Sequence, residues 1–206
     1  MSQKGHIFTV VAPSGAGKTT LVAALLAADT TIQLSVSYTT RPPRKGEIEG
    51  KSYHFVDIDT FKQMIAQQAL LEYAEVHGHF YGTSRLWLEQ TQRAGYDILL
   101  EIDWQGAQQI RRLFTDIVGI FILPPSLQAL EQRLLARGTD SLDVIQRRLR
   151  AAYEEIAHIH EFDYVVINEC KKHAVDDLTA IVHAARLTRR QQQSKIDAIL
   201  NPSIRM

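Results

Sequence analysis

Apolar residues concentrate in five short runs, at 7–11, 34–38, 97–103, 117–123 and 164–168. Stretches with helical patterning follow or separate them, and helices are predicted at 18–28, 105–114, 127–136, 142–159 and about 175–193. Strand-like and helix-like segments in alternation predict an α/β fold, a parallel sheet covered by helices. Between residues 35 and 84 the texture changes. Segments such as K-S-Y-H-F-V-D, L-L-E-Y-A-E-V-H and H-F-Y-G-T-S are short, rich in aromatics and alternating, which predicts a small antiparallel lobe inserted into the core. There is no internal repeat, and the polar tail from T-R-R-Q-Q-Q-S-K onward predicts a terminal helix that frays.

The junction between the first apolar run and the first helix carries the most specific chemistry. Residues 12–19 read A-P-S-G-A-G-K-T, a phosphate-binding P-loop in its required setting of strand, turn and helix start. Gly15 and Gly17 let the backbone curl so that successive N–H groups point inward. Lys18 adds a positive charge beside the N-terminal end of a helix dipole. Thr19 would offer its hydroxyl to the Mg²⁺ that accompanies a nucleoside triphosphate. The motif implies ATP or GTP as ligand, although Ala12 stands where the strict pattern has its first glycine.

Composition narrows the class without naming a reaction. The 206 residues suffice for one domain, or a domain with inserted lobes, around a substantial core. Lys and Arg number 23 and so do Asp and Glu, which gives no electrostatic reason to expect nucleic acid or an anionic membrane as partner. The single cysteine, Cys170, cannot form an intrachain disulfide. The longest apolar run, around 117–125, is far too short to span a bilayer, and the N-terminus has no signal-type stretch. The expectation is a cytoplasmic enzyme.

Further polar residues gather in two places. The lobe holds Ser37, Arg41, Arg44, Tyr53, Glu72, Tyr81 and Thr83. Arginines and tyrosines beside a P-loop suit a second anion such as a monophosphate; the alternative is a solvated turn, with T-R-P-P-R as an exposed, proline-stiffened loop. The run D-I-L-L-E-I-D-W-Q-G ends a buried strand with Glu101 and Asp103 two residues apart, so both side chains leave on one face. Either can hold a water of a metal's shell or orient a substrate, and Asp103 can equally cap the following helix. Arg133 and Arg137 lie four apart on one predicted helix, with Arg147 and Arg148 on the next, a pattern shared with any basic solvated face. The pairs His77/His79 and His158/His160 lack a third ligand at fitting spacing and are read as structural.

Taken together, A-P-S-G-A-G-K-T, S-V-S-Y-T-T-R-P-P-R-K-G-E, G-K-S-Y-H-F-V, L-L-E-Y-A-E-V-H-G-H-F-Y-G-T-S, I-D-W-Q-G-A-Q-Q-I and F-I-L-P-P-S closely resemble the guanylate kinase family of bacterial type, over roughly residues 5–190. The resemblance implies a P-loop nucleoside monophosphate kinase that moves the terminal phosphoryl group of ATP onto GMP with Mg²⁺ bound alongside ATP. It also implies a P-loop NTPase-type core (1–34, 85–125 and 158–206), a small GMP-binding β lobe (35–84) and a helical lid (126–157). By the same resemblance Ala12, Pro13, Ser14, Gly15, Ala16, Gly17, Lys18, Thr19 and Thr20 form the ATP loop. Arg133, Arg137 and Arg148 fall where lid arginines close over the triphosphate and adenine, and Asn168 contacts the base region. Arg41, Arg44, Tyr53 and Tyr81 match positions on the GMP phosphate; Ser37, Glu72, Thr83 and Asp103 match positions around guanine. Lys18, Arg41, Asp103, Arg137 and Arg148 are the expected catalytic set. Glu101 stands where the family more often has Asp. A homo-oligomer is left open. Two other readings share the P-loop: a kinase of a phosphorylated sugar, which would not need Ser37, Glu72 and Thr83, and a non-catalytic guanylate-kinase-like binding module, in which the P-loop is typically degraded.

Overall fold

The computed structural model describes residues 4–76, 78–136 and 141–200. Its larger sheet has five parallel strands in the order β2-β7-β1-β8-β9. These are β1 (Ile7–Val11), β2 (Ile32–Leu34), β7 (Asp97–Glu101), β8 (Ile117–Leu123) and β9 (Tyr164–Ile167). Alternate residues of the central strands feed two different cores. Phe8, Val10 and Leu99 pack with Leu21, Val22 and Leu25 of α1 (Lys18–Ala28) and with Ala174, Leu178 and Val182 of α7 (Lys171–Arg186). Ile7, Val11, Ile98 and Leu100 pack with Leu88 of α3 (Arg85–Arg93) and Ala107 and Ile110 of α4 (Trp104–Leu113). Helices on both faces remove the central strands from water, which is why these strands read as continuous apolar runs.

The run at 34–38, expected as one core strand, is divided. Leu34 ends the pairing of β2 with β7, while β3 (Tyr38–Thr39) belongs to a second sheet. That sheet has the order β4-β3-β6-β5, with β4 (His54–Phe55), β5 (Leu70–Val76) and β6 (His79–Ser84). It is mixed rather than antiparallel, because β3 runs parallel to β4 and antiparallel to β6. Two helices escape the sequence pattern: α2 (Ile58–Ala66) and α3 each bury a single residue fully, Phe61 and Leu88, so their apolar stripe is thin. Their starts are marked instead by caps. Asp57 accepts from the Thr60 N–H at 2.6 Å and Ser84 from the Trp87 N–H at 3.3 Å.

α5 (Leu127–Ala136) and α6 (Leu142–Ala157) share a small core of their own, in which Leu130 and Leu134 meet Ile145 and Ala152. Beyond a single 3₁₀ turn (Ile159–Glu161) the chain returns to the sheet as β9. The helix expected at 175–193 is two helices, α7 and α8 (Arg189–Leu200). Arg186, the last residue of the first, donates to Asp29 at 2.6 Å and to Asp97 at 2.7 Å, which ties α7 to the loop before β2 and to the start of β7. No helix among the described residues is long and apolar enough to cross a membrane.

Candidate active site

The P-loop leaves the C-terminal end of the central strand β1, the end of a parallel sheet where ligands bind. Gly15 and Gly17 have φ of +98° and +97°, the left-handed region that the curl demands. Ala16 is buried, and its carbonyl accepts from the Asn168 amide at 2.7 Å and from Arg133 Nη1 at 3.2 Å. Arg133 Nη2 also donates to the Asn168 carbonyl at 3.0 Å. Arg133, matched by resemblance to the lid arginines over the triphosphate and adenine, and Asn168, matched to the base region, thus both brace the back of the loop. A Cβ on Gly17 would come within 2.4 Å of the Asn168 amide nitrogen. Pro13 accepts from the Ala16 N–H at 3.0 Å and closes the turn.

Lys18 Nζ donates to the Ile102 carbonyl at 3.1 Å, and the Thr19 hydroxyl donates to Glu101 Oε1 at 2.9 Å. Both contacts join the loop to the end of β7, the strand beside β1. Asp103 does cap α4, accepting from the Gly106 N–H at 2.8 Å, and it also lines the cleft. Capping and cleft lining are therefore combined in one carboxylate.

The second half of the cleft comes from β5 and β6. A register shift between Leu70 and Glu72 turns the strand, so that Leu71 joins the main core while Glu72, Ala74 and Val76 face the cleft. Glu72 pairs across the ladder with Thr83 and Ala74 with Tyr81. Glu72 is only 3 % exposed, and its Oε1 accepts from the Thr83 hydroxyl at 2.6 Å. Burial pushes the Glu72 carboxyl up to about 7, with Asp103 adding to the shift and the Thr83 hydrogen bond opposing it. α4 approaches so closely at Gly106 that a Cβ there would lie 2.5 Å from Glu72 Oε2.

One cleft of about 310 Å³ joins these halves. Ser14, Gly15, Gly17, Lys18, Thr19 and Thr20 line one end; Ser37, Tyr53, Glu72 and Tyr81 line the other, with Glu101 and Asp103 between. Arg41 lies behind that wall, buried, with its guanidinium 5.4 Å from the Tyr53 ring centre. Arg44 is exposed on the same turn. T-R-P-P-R is therefore neither wholly solvated nor wholly buried, since Pro42 and Pro43 face water while Arg41 does not. Arg148 sits half-buried on α6, and Arg137 lies outside the described residues, as does His77. His158 stacks on Trp104 with ring centres 3.6 Å apart, and His160 Nδ1 lies 2.9 Å from the Ala157 carbonyl, so both hold local structure.

Sequence reasoning missed Glu155, which α6 brings into the same cleft. Burial pushes its carboxyl up to about 7, against the opposing pull of Lys18, while Asp103 and Glu154 raise it further. Nothing in its E-E dipeptide separates it from a solvated helix face; only the packing of α6 does.

A parallel α/β sheet with a P-loop at its central strand, facing a second polar subsite across one cleft, defines a P-loop nucleotide-binding protein. The guanylate kinase family profile matches residues 4–185. The chain is 55% identical over 200 residues to a guanylate kinase of Dechloromonas aromatica, covering 97% of this chain and 99% of that one. It is 56% identical over 191 residues to a guanylate kinase of Aromatoleum aromaticum, covering 93% and 94%. The crystal structure of guanylate kinase from Anaplasma phagocytophilum superposes with a TM-score of 0.80 at 34% identity, over 96% of this chain and 95% of that one. The chain belongs to the guanylate kinase family and is a kinase.

Proposed function

We propose that this cleft transfers the terminal phosphoryl group of ATP in line to GMP, giving ADP and GDP in purine nucleotide metabolism. The observation that carries the reading is the pairing, in one cleft of about 310 Å³, of an intact P-loop with a buried Glu72–Thr83 pair. Guanine presents two adjacent donors, N1–H and the 2-amino group, which one carboxylate accepts together. Adenine presents an acceptor at N1 and nothing at C2, so Glu72 would face it unpaired. Ser37 and Asp103 complete the base subsite. Arg41, Arg44, Tyr53 and Tyr81 receive the acceptor phosphate, where guanidinium forks and phenol hydroxyls donate to its oxygens.

At the other end residues 12–20 cradle the triphosphate, and Lys18 lies beside the transferring group. Thr19 and Glu101 supply a hydroxyl and a carboxylate 2.9 Å apart, the small set of hard oxygens that suits Mg²⁺ when phosphates and waters complete its shell. When bound there the ion would neutralise charge on the phosphate oxygens. The working parts are a core (1–34, 85–125 and 158–206), an acceptor lobe (35–84) and a lid (126–157). Arg133, Arg137 and Arg148 belong to the lid, and its closure would exclude water from the transfer. Asn168, whose amide holds Ala16, acts on the triphosphate through the shape of the loop.

An intact Lys18–Thr19 pair counts against a non-catalytic binding module, and the joint presence of Ser37, Glu72 and Thr83 counts against a sugar-phosphate kinase. A coupled ADP-release assay with Mg·ATP over GMP, dGMP, AMP and UMP tests the reading. GMP is expected to be the preferred acceptor, dGMP slower, AMP and UMP nearly inert; AMP turnover equal to that of GMP would overturn it.

A further inference from the structure

Arg41 and Arg44 meet on one carboxylate. Glu47 Oε1 accepts from Arg41 Nη2 at 2.7 Å, and Glu47 Oε2 accepts from the main-chain N–H of Arg44 at 2.7 Å. The side chain of one arginine is thereby tied to the backbone that carries the other. The carboxylate is itself fixed by the local turn, in which the Glu47 N–H donates to the Arg44 carbonyl at 3.0 Å and Gly46 has a φ of +90°. Arg41 has further restraints, since its Nη1 donates to the Pro42 carbonyl at 2.8 Å and its guanidinium lies over the Tyr53 and Phe55 rings at 5.4 and 6.0 Å. The ion pair is sheltered, with side-chain exposures of 8% for Arg41 and 20% for Glu47. Both members are held in their charged forms: the Arg41 hydrogen bond foremost lowers the Glu47 carboxyl, and the Glu47 hydrogen bond foremost raises Arg41.

A carboxylate beside an anion site subtracts from its positive charge, so on Coulomb grounds alone Glu47 weakens phosphate binding. Geometry works the other way. A guanidinium has five N–H donors; Glu47 takes one, Pro42 another and the Tyr81 hydroxyl is a third partner, so the fork is held in one orientation with its remaining donors left for a ligand. The rotamer entropy that a free arginine would lose on binding is then already lost before the phosphate arrives.

We infer that Glu47 is a positioning residue for the acceptor phosphate, fixing the Arg41 fork and the Arg44 main chain in the arrangement that receives a monophosphate dianion. This rests on the reading of Arg41 and Arg44 as acceptor-phosphate ligands. The test is calorimetric binding of GMP and of guanosine to the full chain and to Glu47→Gln and Glu47→Asp, with steady-state kinetics alongside. An amide has one acceptor oxygen and satisfies only one of the two contacts, so Glu47→Gln should weaken GMP about tenfold. Guanosine, which has no phosphate, should bind as in the wild type, and the KM for ATP should not move. Glu47→Asp keeps the charge on a shorter stem and should fall between. Unchanged or tighter GMP binding by Glu47→Gln would make Glu47 a mere stand-in anion, and a parallel loss of guanosine would make it a general support of the lobe; either overturns the inference. Arg41→Ala separates the two levels. If it leaves GMP binding intact the phosphate assignment fails, whereas if it weakens GMP while Glu47→Gln does not, only the positioning role fails.

Discussion

The two ends of the cleft are built on opposite principles. The end proposed for the triphosphate is one contiguous segment, residues 12–20, whose glycines, lysine and hydroxyls lie within a single turn and the helix start that follows it. The end proposed for the acceptor draws Ser37, Tyr53, Glu72, Tyr81 and Asp103 from separate strands and loops, and it is assembled by the pairing of both β3 and β5 with β6 and by the approach of α4 to Glu72. A local site fails through its own chemistry. A dispersed one fails through its supports as well, and substitutions that touch no substrate should damage the second end more than the first.

The largest effect should come from the local end. Lys18→Met keeps approximate volume but deletes the charge beside the transferring group, and turnover should fall roughly a hundredfold or more, by analogy with losing one positioned electrostatic donor. Circular dichroism and thermal unfolding should match the wild type. Turnover near the wild-type value would show that the loop is not catalytic.

Next is Glu72→Gln, which exposes the tension between function and stability at the dispersed end. Losing one of two acceptor oxygens should lower kcat/KM for GMP by roughly one to two orders of magnitude, with AMP changing much less. Stability should move the other way. Because the folded pKa of Glu72 is raised from 4.5 to about 7, its contribution is intact below about 4.5 and is lost as pH rises through about 7. At pH 8 that loss is about 3 kcal/mol by linkage, and the neutral amide escapes it. Thermal unfolding without nucleotide should therefore show Glu72→Gln gaining on the wild type between pH 5 and pH 8. A pH-independent difference would place the carboxylate in contact with water.

Arg41→Ala should raise the KM for GMP far more than the KM for ATP, and Arg41→Lys should restore only part, because a point charge does not reproduce the fork. Arg44→Ala should do the same more weakly, since Arg44 is exposed while Arg41 is buried and tied to Glu47. Equal damage to both substrates would mean that the lobe serves the donor as well. The smallest effect sharpens the comparison most: Gly106→Ala touches no expected substrate atom, yet its Cβ would meet Glu72 Oε2 at 2.5 Å. Displacing that carboxylate should cost about 1 to 3 kcal/mol of stability as overpacking does, and it should raise the KM for GMP with the KM for ATP unchanged. Normal kinetics with GMP would show that the α4 contact does not position Glu72.

The sequence by itself determined whatever depends on neighbours along the chain. Buried parallel strands are continuous apolar runs, so β1, β7 and β8 were legible, and the P-loop was legible because its glycines, lysine and threonine act over a few residues. The acceptor residues could be named from their resemblance to a family, but on spacing alone Arg41 was as consistent with a solvated loop as with a phosphate ligand. Tertiary structure decided the rest, for physical reasons that leave little trace in local pattern. Run 34–38 is divided because Leu34 finds its partner in β7 and Tyr38 finds partners in β4 and β6. Helices α2 and α3 each fully bury one side chain, too few to mark a periodic stripe, and the last helical stretch divides just after Arg186, which pairs with two distant aspartates. Glu72 is buried by a shift in strand register, Glu155 reaches the cleft because α6 packs over it, and Glu47 gains its meaning from meeting both arginines at once. Each depends on which surfaces are excluded from water together, a property of the folded chain that no short window of sequence contains.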